Sequence, residues 1–254
     1  MKKLVRLATV AVTLMIICVL VMWIGAEGEI STSFDEFRIR WDEEPRADKE
    51  ESIESALHEL VENNEETRTF VDNYPNREAY LGIEIDLSED VCEGEVPLFL
   101  QWDLRWGYES YGDNIIGLAG CGPACLSMAY VYLTGDLEGN PRDMAKFAEE
   151  NGYHTKVGTE WSLWTEGAGK LGISGTELAL DEYCIQAVLD EGGVVICSMR
   201  PGDFTRTGHY ILIKGYDEKG FMVHDPNSLA NTQKQWLYED IRGQIKNLWC
   251  LSLE

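Results

Sequence analysis

Three side chains, well separated along the 254-residue chain, have the types that acyl-transfer chemistry needs: Cys121, His209 and Asp225. A cysteine is a strong nucleophile only as the thiolate, a histidine can take up and release a proton near neutral pH, and a carboxylate can orient its ring. Cys121 lies in Gly120-Cys121-Gly122-Pro123-Ala124-Cys125-Leu126-Ser127-Met128, where a glycine-rich turn runs into an apolar segment. Pro123 suits the first turn of a helix, because its φ is already helical and its missing N–H would have had no partner there. A helix is therefore expected to start just after Cys121, with unpaired amides and a dipole that favour the thiolate. Gly122 leaves room for a substrate carbonyl. The plainer reading of Cys121 is a small buried hydrophobe, as for most free cysteines, and His209 and Asp225 weigh against it.

The elements that must position these groups can be read around them. Leu126, Met128, Ala129, Val131, Tyr132 and Leu133 make the Cys121 helix apolar on nearly every face, so it is expected to be buried, with Gly135 as its stop. Thr207 to Ile213 reads as a strand opening on His209, and Phe221 to Asn227 as a strand closing on Asp225. The short turn Asp217-Glu218-Lys219-Gly220 joins them as an antiparallel hairpin, which makes His209 and Asp225 neighbours in space. His224 then points to the opposite face and is expected to be structural. Asn140 and Pro141 open a second helix ending near Gly152. Thr159 is expected to cap a third, with Trp161, Leu163 and Trp164, and Asp181 a fourth that runs to Glu191. Further strands are expected at Val194 to Met199 and Asn247 to Leu253. Helices come first and antiparallel strands later, so the class is α+β.

The Gly-Cys-Gly-Pro-Ala-Cys-Leu-Ser-Met turn, the Gly-His-Tyr strand start and the Asp-Pro strand end resemble the papain-like cysteine peptidases related to the double-glycine leader peptidases of bacteriocin export. The resemblance runs from about Val96 to the C-terminus. It implies a papain-like fold, with a helical lobe carrying the cysteine packed on an antiparallel sheet carrying the histidine and aspartate. It further implies Cys121 as nucleophile, His209 as general base and Asp225 as the residue that orients the imidazole. Gln101, in Pro97-Leu98-Phe99-Leu100-Gln101-Trp102-Asp103, matches the glutamine that helps form the oxyanion hole. The long stretch from Gln101 to Cys121 requires a loop that folds back. The function implied is hydrolysis of peptide bonds through a thioester, with a peptide or protein as substrate and no cofactor. An amidase acting on cell-wall peptides, or an acyltransferase, would use the same triad. A rival of another class is a catalytically inactive papain-like module that binds peptides at the cell surface; the intact Cys, His and Asp set argues against it.

Composition bounds the rest. Residues 1–6 are basic, and residues 7–26 carry no charge and are long enough to span a bilayer. The expectation is an uncleaved, single-pass signal anchor with the N-terminus in the cytoplasm and the body extracytoplasmic. Residues 27–95 hold 23 Asp and Glu against 6 Lys and Arg, which accounts for most of the net charge of −24. This stretch reads as an acidic stalk followed by two short amphipathic helices, one with Ile53, Leu57, Leu60 and Val61, the other with Phe70, Val71 and Tyr74. It is expected to supply no catalytic group. Residues 96–254 then form the peptidase domain. The acidity disfavours nucleic acid as a partner. No zinc-ligand spacing, HExxH or P-loop occurs, so no metal is expected. The cysteine spacings do not form a disulfide framework, and Cys125, Cys184 and Cys197 are expected in the core.

Overall fold

The computed structural model describes residues 49–155 and 158–253. The expected membrane span at 7–26 and the stalk as far as residue 48 lie outside the described residues. Among the described residues no helix is long and apolar enough to cross a membrane. Residues 52–254 belong to one compact unit.

Two short ribbons come first in the chain, β1 (Ser110–Tyr111) with β2 (Asn114–Ile115), and β3 (His154–Thr155) with β4 (Gly158–Thr159). The main sheet is built from β5 (Ser174–Glu177), β6 (Val194–Met199), β7 (His209–Asp217), β8 (Gly220–His224), β9 (Gln235–Trp236) and β10 (Ile245–Ser252). Its order is β5-β10-β6-β7-β8-β9, and every neighbouring pair is antiparallel. β6 reads Val-Val-Ile-Cys-Ser-Met and is buried at every position, as a strand must be when both of its faces are covered. Val194 and Ile196 join the core on the side of the Cys121 helix, while Val195, Cys197 and Met199 join a second core with Ile185 of helix Glu182–Asp190. This is the α+β arrangement expected.

The Cys121 helix spans Cys121–Thr134 and is buried along most of its length. It begins at Cys121 itself, one position earlier than expected. Gly135 stops it with φ of 72°, a left-handed conformation that costs glycine nothing. Asn140 caps helix Pro141–Glu150 by accepting from the N–H groups of Arg142 and Asp143, and Asp181 caps helix Glu182–Asp190 by accepting from Cys184 N.

Thr159 caps no helix. It pairs with His154 in β4, and its Oγ1 lies 3.0 Å from Tyr111 Oη. The helical turn Trp161–Trp164 that follows has no side-chain cap. β5 was not expected, because Ser-Gly-Thr-Glu at a sheet edge carries no apolar alternation to mark it. Of the three expected core cysteines, Cys125 and Cys197 are buried, whereas Cys184, in its short helix, is only half-buried.

The helix that ends at residue 63 and helix Arg68–Asn73 bury Ile53, Leu57 and Phe70 in one cluster with Tyr74, Tyr108 and Ile115. Phe70 stacks on Tyr108 with ring centroids 4.4 Å apart, and Tyr108 Oη donates to Phe70 O at 2.6 Å. Phe70 also occupies the space where side chains at Gly107 and Gly117 would stand, which is why both positions are glycine.

Candidate active site

The site is built at one end of the β7–β8 hairpin. His209 is the first residue of β7, and Asp225 follows the last residue of β8, where Pro226 can no longer donate to a ladder. The register changes between Ile213 and Gly215, with Leu212 opposite His224 but Gly215 opposite Met222. This bulge at Lys214 decides the chemistry. Carried straight from the turn, the pairing would set Asp225 opposite Leu212, on the face away from His209; the extra residue returns Asp225 to the face of His209. His209 Nε2 and Asp225 Oδ1 are 2.7 Å apart, and both side chains are buried.

With Nε2 committed to Asp225, Nδ1 is the nitrogen left to act on the Cys121 thiol. Burial alone would push the Cys121 thiol up. The bond to His209 and its charge, with the N–H groups of Tyr210 and Gly122, more than offset this, and the thiol is held below its ordinary value. For His209, burial alone would pull the imidazole down, but Asp225 and then Cys121 raise it well above its usual range. Both shifts favour a thiolate beside an imidazolium. Cys125, one turn further along the same helix, is buried and pushed well above the thiol range by burial and by Cys121. Two cysteines on one helix are thus set to opposite states by position alone.

Gln101 lines the same cleft as Cys121, His209 and Asp225. Its backbone N–H donates to Pro226 O at 2.8 Å, and its Nε2 donates to Gly117 O at 2.9 Å. The loop from Gln101 to Cys121 folds back through the β1–β2 ribbon and closes with Gly117 N on Gly107 O at 2.7 Å. Gly117 O takes one N–H of the Gln101 amide and leaves the other over, while the buried Oε1 has no hydrogen-bond partner among the described residues. At the helix start, the first hydrogen bond runs from Ala124 N to Gly120 O, so the Cys121 N–H precedes the helical ladder.

The structure also places groups that spacing and residue type had not singled out. Asp225 Oδ1 accepts from Asn227 N at 2.8 Å and Oδ2 from Asn231 Nδ2 at 2.8 Å, so the buried carboxylate is held on both oxygens. An Asx turn after an Asp-Pro pair could have flagged Asn227, but no local signal marks Asn231. Gly122 does not open onto substrate. A side chain there would run into Thr159, so this glycine serves close packing of the helix start against β4. His224 turns away from the site and donates from Nε2 to Val96 O at 2.9 Å; burial pulls it down to about 4, so it stays neutral.

The cleft extends to both sides of the Cys121–His209 pair. One half, of about 820 Å³, runs past Thr159, Trp161 and Lys246, and the other, of about 700 Å³, runs past Gln101, Asn64 and Glu59. The profile of the Peptidase_C39 like family matches residues 93–251, more than half of the chain. The chain belongs to that family. The Peptidase_C39 like region thus takes in Gln101, Cys121, His209 and Asp225 and begins after Asn64 and the helix that carries Phe70. Among solved structures, the chain is similar to the peptidase domain of Streptococcus ComA, described as a bi-functional ABC transporter involved in a quorum sensing pathway. Identity there is 20%, the match covers 53% of this chain and 92% of that one, and the TM-score is 0.40. A putative C39-like peptidase from Bacillus anthracis is similar at 13% identity over 63% of this chain and 96% of that one, with a TM-score of 0.39. No curated protein matches the chain.

Proposed function

We propose that this member of the Peptidase_C39 like family is an active cysteine peptidase that cuts peptide bonds through a thioester. The observation that carries the reading is the buried Asp225 Oδ1–His209 Nε2 pair at 2.7 Å, whose imidazole acts on the Cys121 thiol at a point where the cleft continues in both directions. An extended peptide needs such a cleft, with its acyl part on one side of the sulfur and its amine part on the other.

In the proposed mechanism the Cys121 thiolate attacks the carbonyl carbon, and the new C–S bond leaves negative charge on the oxygen. The spare Gln101 N–H and the Cys121 backbone N–H receive that charge. Collapse breaks the C–N bond as His209 Nδ1 gives its proton to the departing amine. Water then attacks the thioester carbon as His209 takes its proton, and the C–S bond breaks to release the acid product and return Cys121 as the thiolate. Asp225 keeps the ring in place and holds its charge throughout.

Peptide-library cleavage by the wild-type chain, set beside Cys121→Ala, tests the reading. New amino termini that appear only with the wild type support it. Transfer of the acyl group to an added amine in place of hydrolysis would reassign the chain as an acyltransferase, and retention of peptides without cleavage as a binding module. Gln101→Ala should keep the fold and lose rate, on the order of 10²–10³ in kcat with little change in KM, the cost of one oxyanion donor.

The location we propose is extracytoplasmic, with residues 7–26 as an uncleaved anchor, on the support of their length and basic flank. Intact-mass measurement of protein extracted from membranes should find Met1 or its immediate successor as the N-terminus. A mature N-terminus near Glu27 would make the segment a cleaved signal instead.

A further inference from the structure

The family-matched region begins at residue 93, yet side chains upstream of it reach the loop that carries Asp225. Glu66 is half-buried, and its two carboxylate oxygens accept from the backbone N–H groups of Leu229 at 2.8 Å and Ala230 at 2.9 Å. These amides open the short helix Leu229–Gln233. The helix already has a cap of its own, since Ser228 Oγ accepts from Asn231 N at 3.2 Å. Glu66 is therefore not needed to form the helix, and what it adds is a fixed location. That location matters because Asn231 donates to Asp225 Oδ2 at 2.8 Å and Thr232 Oγ1 accepts from Asp225 N at 3.0 Å. Asn64 ties the same loop at a second point. Its Oδ1 accepts from Glu66 N at 3.0 Å, its Nδ2 donates to Asn227 O at 2.5 Å, and Asn227 N is the remaining donor to Asp225 Oδ1. Apart from His209, both groups that hold the Asp225 carboxylate thus sit on a loop clamped by Asn64 and Glu66.

We propose that Glu66 is a positioning residue of the active site, acting through the 227–232 loop and Asn231 to aim Asp225 at His209. The inference rests on the peptidase reading above. It makes the helices before residue 93 part of the working site without giving them a group that touches substrate.

The test is a double-mutant cycle in the full chain, with Glu66→Ala, Asn231→Ala and the pair, read as kcat, KM and the pH profile of Cys121 alkylation by iodoacetamide. Glu66→Ala should lower kcat by up to about 10²-fold at nearly constant KM, the scale of a small misplacement of a catalytic group. It should also move the alkylation profile toward that of a free thiol. The pair should lose little more than either single variant, because both act on one carboxylate. Glu66→Gln keeps one acceptor oxygen and should fall between wild type and Ala; should Glu66→Ala lose the fold, this isosteric variant decides alone. A lowered Tm with unchanged kcat and alkylation profile, or strictly additive losses, would overturn the role of Glu66 while leaving the peptidase reading standing. Wild-type Cys121 that alkylates like a free thiol would overturn the peptidase reading and this inference with it.

Discussion

Cys121→Ala and His209→Ala should each reduce peptide cleavage to background. The first removes the atom that forms the thioester. The second removes the group that protonates the leaving amine and then activates water, so neither half-reaction has a proton carrier. The two variants separate in the ground state. Wild-type Cys121 should be alkylated at a pH well below the ~8.5 of a free thiol, because the bond and charge of His209 and the N–H groups of Tyr210 and Gly122 outweigh its burial. In His209→Ala the two amides remain and the imidazolium is gone, so reactivity at low pH should shrink and not vanish entirely. Mass-spectrometric titration of Cys121 alkylation in the two proteins reads this directly. Cys125 provides an internal reference, since its burial should leave it unlabelled across the same pH range.

Asp225→Ala should cost on the order of 10²–10⁴ in kcat, the range set by loss of an orienting carboxylate in a triad. The buried His209 would then have no opposite charge on its far side. Asp225 is what lifts the imidazole against the opposing effect of burial, so its removal lowers the pH at which His209 gives up its proton. The alkaline limb of kcat/KM should therefore move to lower pH. The active window narrows from its alkaline side. Asp225→Asn should be milder. Its amide oxygen can still accept from His209 and Asn227, and its NH₂ would meet the Asn231 amide, which can turn to present oxygen in place of nitrogen. Asn231→Ala should remove that accommodation, so Asp225→Asn combined with Asn231→Ala should approach Asp225→Ala. Full activity in Asp225→Ala, with the alkaline limb unmoved, would remove Asp225 from the proposed triad.

Local chemistry made much of this molecule legible in the sequence. Pro123 and Gly135 bracket a helix because each has a backbone preference that needs no tertiary partner. The caps at Asn140 and Asp181 are equally local. The apolar run of β6 and the short turn before β8 were enough for the antiparallel hairpin and the α+β class, and cysteine, histidine and aspartate at the ends of those elements were enough to nominate a site. Thr159 shows the limit, since a threonine before an aromatic run is a good cap by pattern and became a strand residue because β3 was there to pair with it. Strand periodicity places side chains on faces only when the register is known, and the bulge at Lys214, which brings Asp225 back to the face of His209, is an agreement between two strands. The supports of the carboxylate are more distant still: Glu66 and Ala230 are separated by 164 positions, and no spacing rule links a helix near the start of the described chain to a loop near its end. Residue types and the ends of elements belong to the sequence, because they depend on neighbours along the chain. The common face of His209 and Asp225, the fold-back that brings Gln101 into the cleft of Cys121, and the clamp on the 227–232 loop belong to the tertiary structure, because each is a hydrogen-bonded choice between segments that meet only when the chain has folded.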